Sequence, residues 1–244
     1  MKHMGLALSF LTTIPFFAVD YVPDEEMGRS LAYFPLVGLV VGGFNASMYF
    51  LGLYFWSPAV AAWLWLIANA LITGGLHLDG WMDTFDALGS RKGRAEMLTI
   101  MKDSRIGAMG GMAAVLLLGF KWSLLVESGA APALVLLAPV VGRSVALITT
   151  QGFTHIREGG LGRTFTQPLP LARWLFVLAS VLLPFALLGP AHFLVAAIGA
   201  AALAMLWAGS LCHKFGGLSG DNYGALNELA EVLFLLLAIV RFSA

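Results

Sequence analysis

Three aspartates, Asp79, Asp83 and Asp86, fall within eight residues in the stretch HLDGWMDTFDALGS. On a helix, positions i, i+4 and i+7 lie within about 60° of one another, so the three carboxylates share a face. Like charges at that spacing repel, and beside a bilayer water screens them poorly. A hard divalent cation resolves the conflict, because Mg2+ prefers oxygen ligands and is held by a few carboxylates together with substrate phosphates. The plainer alternatives are an N-cap role for Asp79 and neutralisation by nearby bases. The cap accounts for only one of the three.

The chain continues RKGRAEMLTIMKDSRIG, which places Arg91, Lys92, Arg94, Lys102 and Arg105 around Asp103. Bases opposite acids suit a diphosphate–metal complex: carboxylates hold the cation while Lys and Arg hold phosphate oxygens. Arg91, Lys92 and Arg94 serve equally well as a membrane-side anchor. Lys102, Asp103 and Arg105 form a tighter charged run, followed by Gly107, Gly110 and Gly111, and this points to a site packed between helices.

Other charged groups stand further along. Arg143 lies inside the apolar run LAPVVGRSVALITT, and a charge within a membrane is either functional or the partner of a buried carboxylate. The segment HKFGGLSGDNYGALNELAEV brings Asp221, Glu228 and Glu231. Asp221 either completes a metal site begun by the first cluster or caps a helix. Glu228 and Glu231 enter the bilayer unless they face the bundle. His77 reads as a structural residue more readily than as a ligand or proton carrier. Gly80 marks a helix start or a close approach, and Gly74 and Gly75 let the backbone turn as a span ends. The segment THIREGGLGRTFTQP, with Arg157, Glu158 and Arg163, is either a phosphate-binding lid or an ordinary connection.

These residues need elements to position them, and the rest of the chain is mostly hydrocarbon. Of 244 residues, 59% are hydrophobic and 11% charged, against about 45–50% and about 25% in soluble domains. Seven apolar runs cover about Leu31–Phe55, Ala59–Leu76, Ile106–Val126, Pro132–Gln151, Ala172–Leu188, Ala191–Gly209 and Ala225–Val240. Most are long enough to cross about 30 Å of hydrocarbon as helices. The expected fold is therefore an all-α polytopic transmembrane bundle of about seven spans, one domain over residues 1–244. The N-terminal run Gly5 to Val19, interrupted by Pro15, is short for a span and lacks a small-residue cleavage site. It is expected as an interfacial or re-entrant segment.

The connections FWSP, ESGAAP and LGPA contain no Lys or Arg, whereas the alternate ones hold eleven of the fourteen basic residues. If the spans alternate in direction, every polar segment lies on one face, which the positive-inside rule makes cytoplasmic. Seven spans then leave the C-terminus outside. A net charge of zero gives no field for nucleic acid, and the single cysteine excludes an internal disulfide framework.

The residues alone thus point to a membrane enzyme with an Mg2+-dependent, cytoplasmic-facing site for a phosphorylated substrate. A cation-coupled transporter is the alternative from another class. It is disfavoured because the acids cluster at one face instead of the midplane and no internal repeat is visible. A CDP-alcohol phosphotransferase is the nearest enzyme alternative, but its signature, D-x2-D-G-x2-A-R-x8-G-x3-D-x3-D, is absent.

The blocks GGLHLDGWMDTFDALGS and IMKDSRIGAMGG, with SFLTTIP, YFPLVGLVVG, Arg143 in its span and GGLSGDNYGALNELAEV, resemble the membrane-bound cobalamin 5′-phosphate synthases over most of the chain. This chain has Ala87 and Ser219 where that family pattern leads one to expect Gly and Thr. The resemblance implies transfer between adenosylcobinamide-GDP and α-ribazole or its 5′-phosphate, release of GMP, a requirement for Mg2+, and a prokaryotic cytoplasmic (inner) membrane. Combined with the residue reading, it assigns Asp79, Asp83 and Asp86, with Asp221, to Mg2+. It makes Asp83 or Asp103 the proton acceptor, and Lys102, Arg105 and Arg143 the groups that stabilise phosphate charge. The expected partners are the two substrates and the bilayer, with no nucleic acid; a homo-oligomer is compatible with the sequence.

Overall fold

A backbone surrounded by hydrocarbon has no hydrogen-bond partner but itself, which selects helices for apolar runs without strand alternation. The computed structural model describes residues 2–16, 22–129, 131–156, 165 and 167–240. They form eleven α-helices: α1 (Lys2–Leu11), α2 (Asp24–Ser30), α3 (Phe34–Phe55), α4 (Pro58–Thr73), α5 (Leu76–Gly89), α6 (Arg94–Ile100), α7 (Ala108–Glu127), α8 (Pro132–Gly152), α9 (Leu171–Leu188), α10 (Ala191–Phe215) and α11 (Gly220–Ala238). Each of the seven apolar runs contains one long helix, although the run Ala59–Leu76 breaks at Gly74 and Gly75 and its last residue begins α5. Prolines sit in the first turn of α3, α4 and α8, where the missing N–H would have had no helical partner.

The protein is a multi-pass membrane protein. Among the described residues five helices are long and apolar enough to cross a bilayer, and six if the bent pair α4–α5 counts as one span. Seven spans were expected from sequence, and the difference lies in α4 and α11. α11 has the length, but Asp221, Glu228 and Glu231 dilute its apolar character. It tolerates them because Glu228 and Glu231 are buried inside the bundle. By contrast α9 and α10 carry exposed leucines and valines such as Leu175, Leu187, Val195 and Leu206, as lipid-facing helices do.

α8 and α11 run through the middle. In lipid, helices gain little from apolar burial alone, so association depends on close backbone approach. A side-chain carbon at Gly38 would lie 2.7 Å from the Pro139 carbonyl oxygen, and Gly42 is pressed against the Leu136 backbone. These two glycines let α3 lie directly on α8. α1, at ten residues, reaches only about 15 Å, too short to cross. Its Leu8 and Leu11 join the apolar cluster of Leu31, Val37, Leu147 and Phe165. Beyond it the Thr13 amide donates to the Ile72 carbonyl at 2.7 Å. Both facts fit the expected interfacial segment.

α4 ends in Gly74 and Gly75, with φ of 61° and 73°, a left-handed pair that only glycine adopts without strain. The chain turns by 92° into α5. α5 itself, fourteen residues with three aspartates, is not among the helices long and apolar enough to cross.

Candidate active site

α5 is held at both ends by the starts of two other helices. At its beginning it meets α11, and Gly80 is the point of contact. A Cβ there would sit 2.6 Å from the Asp221 carbonyl oxygen and 2.9 Å from its Cα. Ser219 is the N-cap of α11, in a reciprocal box: its hydroxyl accepts from the Asn222 amide at 3.2 Å, and Asn222 Oδ1 accepts from the Ser219 amide at 3.0 Å. Asn222 Nδ2 donates to Thr84 Oγ1 of α5 at 3.1 Å. Because Ser219 fills the cap, Asp221 is released into the first turn, where the helix N-terminus favours an anion. Gly80→Ala is expected to force α11 away from α5 and to reduce catalytic turnover more than thermal stability. Equal losses in both, measured side by side in detergent, would show that the contact serves packing alone.

At its far end α5 meets α7. Asp86 Oδ2 accepts from the Gly107 amide at 2.8 Å and Oδ1 from the Gly110 amide at 2.7 Å. Gly107 and Gly110 are glycines because the Asp86 carboxylate occupies the space of their side chains. Asp86 therefore caps α7 from a neighbouring helix. Of the four candidate metal ligands it is the one whose two oxygens already have partners.

The remaining candidates come together around two connected spaces. A cleft of about 220 Å3 is lined by Asp79, Asp83, Lys102, Asp103 and Arg105, among others. A deeper cavity of about 340 Å3 shares Asp79 and Lys102 with it and adds His77, Ser219, Asp221 and Tyr223. Beside them a broad groove contains Arg94, Lys102 and His155. Lys102 therefore borders all three, and Asp221 arrives next to the cluster from 142 residues beyond Asp79 in the chain. Arg143 lines none of these spaces.

Electrostatics divides the acids into different roles. Asp83 is pushed up to about 7, first by burial and then by the charges of Asp79, Asp221 and Asp86. Asp103 is held down at about 2, by its hydrogen bonds from Arg105: Nη2 donates to Oδ2 at 2.6 Å and Nε to Oδ1 at 2.9 Å. A base works best with a pKa near the operating pH. That favours Asp83 as the proton acceptor of the two.

Asp79, Asp83 and Asp221 make no ion pair with a described residue. Among the described residues no three His, Cys, Asp or Glu side chains form a ready-made metal cage. The donor set still suits Mg2+, which keeps several waters and takes one or two carboxylates alongside substrate phosphates.

Arg143 is fully buried and pairs with Glu231. Lys121 Nζ completes the group, 2.6 Å from Glu228 Oε2 and 2.7 Å from Glu231 Oε2, while Asn227 Nδ2 donates to Glu231 at 3.2 Å. Two cations thus meet two anions inside the bundle, tying α7 and α8 to α11. Sequence reasoning misses Lys121, although it too interrupts an apolar run and the rule that singles out Arg143 applies equally. It also misses the His155–Tyr223 pair, joined at 3.2 Å. No local pattern marks that pair, since a backbone bridge to Leu218 places His155. Lys92 makes a surface pair with Glu96, and Arg94 donates to the Gly216 carbonyl. Arg157, Glu158 and Arg163 lie outside the described residues.

A family model described as cobalamin-5-phosphate synthase matches residues 3–239. A protein of Desulfitobacterium hafniense named adenosylcobinamide-GDP ribazoletransferase is 39% identical over 97% of this chain and 96% of its own length. A Roseiflexus protein of the same name is 40% identical over 95% and 87%, and one from Clostridium novyi 32% identical over 100% and 98%. No solved structure matches the chain.

Proposed function

Because the chain belongs to the cobalamin-5-phosphate synthase family, we infer that it joins adenosylcobinamide-GDP to α-ribazole or its 5′-phosphate, releasing GMP. The product is adenosylcobalamin or its 5′-phosphate, and the protein is a transferase of cobalamin biosynthesis. The observation that carries this reading to particular residues is the cleft that brings together Lys102 and the carboxylates of Asp79 and Asp83, neither of which is ion-paired with a described residue.

In the transfer a ribose hydroxyl oxygen of the ribazole bonds to the phosphorus nearest the cobinamide, and the bond from that phosphorus to the GMP oxygen breaks. Asp83 takes the hydroxyl proton. Lys102, bordering cleft, cavity and groove alike, binds phosphate oxygens and balances the charge left on GMP. Arg105 is exposed and committed to Asp103, so it contributes at the rim. Arg143 acts from behind, by fixing α11 and through it Asp221. Asp79 and Asp221 are the residues that would hold Mg2+, with Asp83 beside them; the bound ion supplies neutralisation of the diphosphate. The concentration of basic residues at this end supports a cytoplasmic-facing site in a prokaryotic inner membrane.

Purified protein in detergent is expected to release one GMP per corrinoid joined when adenosylcobinamide-GDP, α-ribazole 5′-phosphate and Mg2+ are all supplied, and none when either substrate is omitted. Full activity after exhaustive chelation would remove Mg2+ from the proposal. GMP release without the ribazole would make the reaction a hydrolysis instead.

A further inference from the structure

The transfer chemistry uses Asp79, Lys102 and Asp221 of the deep cavity and leaves the rest of its lining without a role. Its floor is apolar, built from the buried Leu11 and Ala146 and from three phenyl rings brought together from distant parts of the chain. Phe10 and Phe165 have centroids 4.9 Å apart, and Phe34 and Phe165 5.4 Å. One wall group, His77, is polar, is 5% exposed, and makes no hydrogen bond to a described residue. The Thr150 hydroxyl also lines the space, but donates its proton to the Ala146 carbonyl at 2.7 Å. At the rim His155 and Tyr223 engage one another. The cavity thus offers flat apolar surfaces, an imidazole with no hydrogen bond to a described residue, and the carboxylates of Asp79 and Asp221.

We propose that this cavity seats the aromatic base of the ribazole, with His77 hydrogen-bonded to the free ring nitrogen of that base. The assignment rests on the transfer reaction inferred above. Three pieces of substrate compete for the space, and the lining separates them. Guanine carries a carbonyl, an amino group and a ring N–H, which among the three phenyl rings would lose water without replacement. The corrin macrocycle with its side chains is far larger than 340 Å3 allows. A dimethylbenzimidazole is flat, apolar and bicyclic, and its single free ring nitrogen, an acceptor, suits the buried imidazole of His77 and not the carboxylates of Asp79 and Asp221. The placement is also consistent with the chemistry. His77 and Asp79 are two residues apart on α5, so a base against the first carries its ribose to the carboxylates.

Ala146→Leu fills the floor. It is expected to raise KM for α-ribazole by about tenfold or more, a scale typical of misfit by a few methylenes, and to leave KM for adenosylcobinamide-GDP within about twofold. The penalty should shrink for the riboside of unsubstituted benzimidazole. His77→Leu should also raise KM for α-ribazole, and His77→Gln, which restores a donor, should recover part of the loss. A measurement on the wild-type protein covers the case of a variant that does not fold: free dimethylbenzimidazole should compete with α-ribazole and not with adenosylcobinamide-GDP. Competition with the corrinoid substrate, or an Ala146→Leu defect confined to that substrate, overturns the assignment. If wild-type protein releases no GMP at all, the transfer reading fails. The cavity is then judged by fluorescence of the free base: binding that Ala146→Leu abolishes supports it, and no binding, or binding that Ala146→Leu leaves intact, refutes it.

Discussion

Asp83→Asn lowers turnover by about 10²–10⁴-fold, the usual contribution of a positioned base, while the protein still folds. Asparagine keeps the size of the side chain and removes its ability to accept the proton. The same group sets the acid side of the pH profile. Asp83 is held at about 7 by burial and by Asp79, Asp221 and Asp86, so it is ionised and able to accept above that pH and protonated below it. Wild-type kcat/KM is therefore expected to fall as pH drops from 7. A cation among the carboxylates relieves part of the repulsion and moves the fall lower, but burial, the larger cause, remains. In Asp83→Asn the fall disappears along with most of the rate. Asp103→Asn serves as the contrast: Asp103 is at the cleft rim and bound to Arg105, and its loss costs much less. Measuring GMP release from pH 5.5 to 8.5 decides the matter. Near-normal turnover in Asp83→Asn, or a deeper defect in Asp103→Asn, assigns the proton elsewhere.

Lys121→Met is expected to destabilise the protein by about 3–5 kcal/mol, the cost of removing one partner from a buried ion pair. The methionine fits the space, but Glu228 and Glu231 are left with Arg143 alone. Both carboxylates are buried and contact Lys121 directly. Adding Glu228→Gln restores the balance of one cation to one anion. The double variant should therefore regain most of the lost stability, a coupling expected only between groups in contact. Thermal unfolding of Lys121→Met, Glu228→Gln and the double variant in the same detergent tests this. If the losses simply add, the four charges do not act as one network.

Much of this architecture was legible in the sequence because hydropathy and periodicity are local. Seven apolar runs gave seven long helices, and the spacing of Asp79, Asp83 and Asp86 correctly implied a helix. The boundaries failed where charge or glycine overrode hydropathy. The run drawn as Ala59–Leu76 is broken at Gly74 and Gly75, and α11 begins at Gly220, earlier than its apolar part suggests. Partners were less legible. Nothing local shows that Asp86 will be spent on the amides of Gly107 and Gly110. Phe10, Phe34 and Phe165 are invisible as a group, since three phenylalanines in so apolar a chain carry no signal until the fold brings them together. Lys121 was hidden by the high average hydropathy of its run.

The internal ion network also has a history in time. Lys121 and Arg143 lie on α7 and α8, while their anions are on α11, which is made after both. The 110 residues between Lys121 and Glu231 take roughly 5–20 s to synthesise at ordinary ribosomal rates. For that interval the nascent chain must leave two cations at the water boundary, or shelter them at the insertion machinery, because their partners Glu228 and Glu231 have not yet emerged. α11 therefore acts as a latch in biogenesis: once it enters, the charges close and α5 is gripped from both ends.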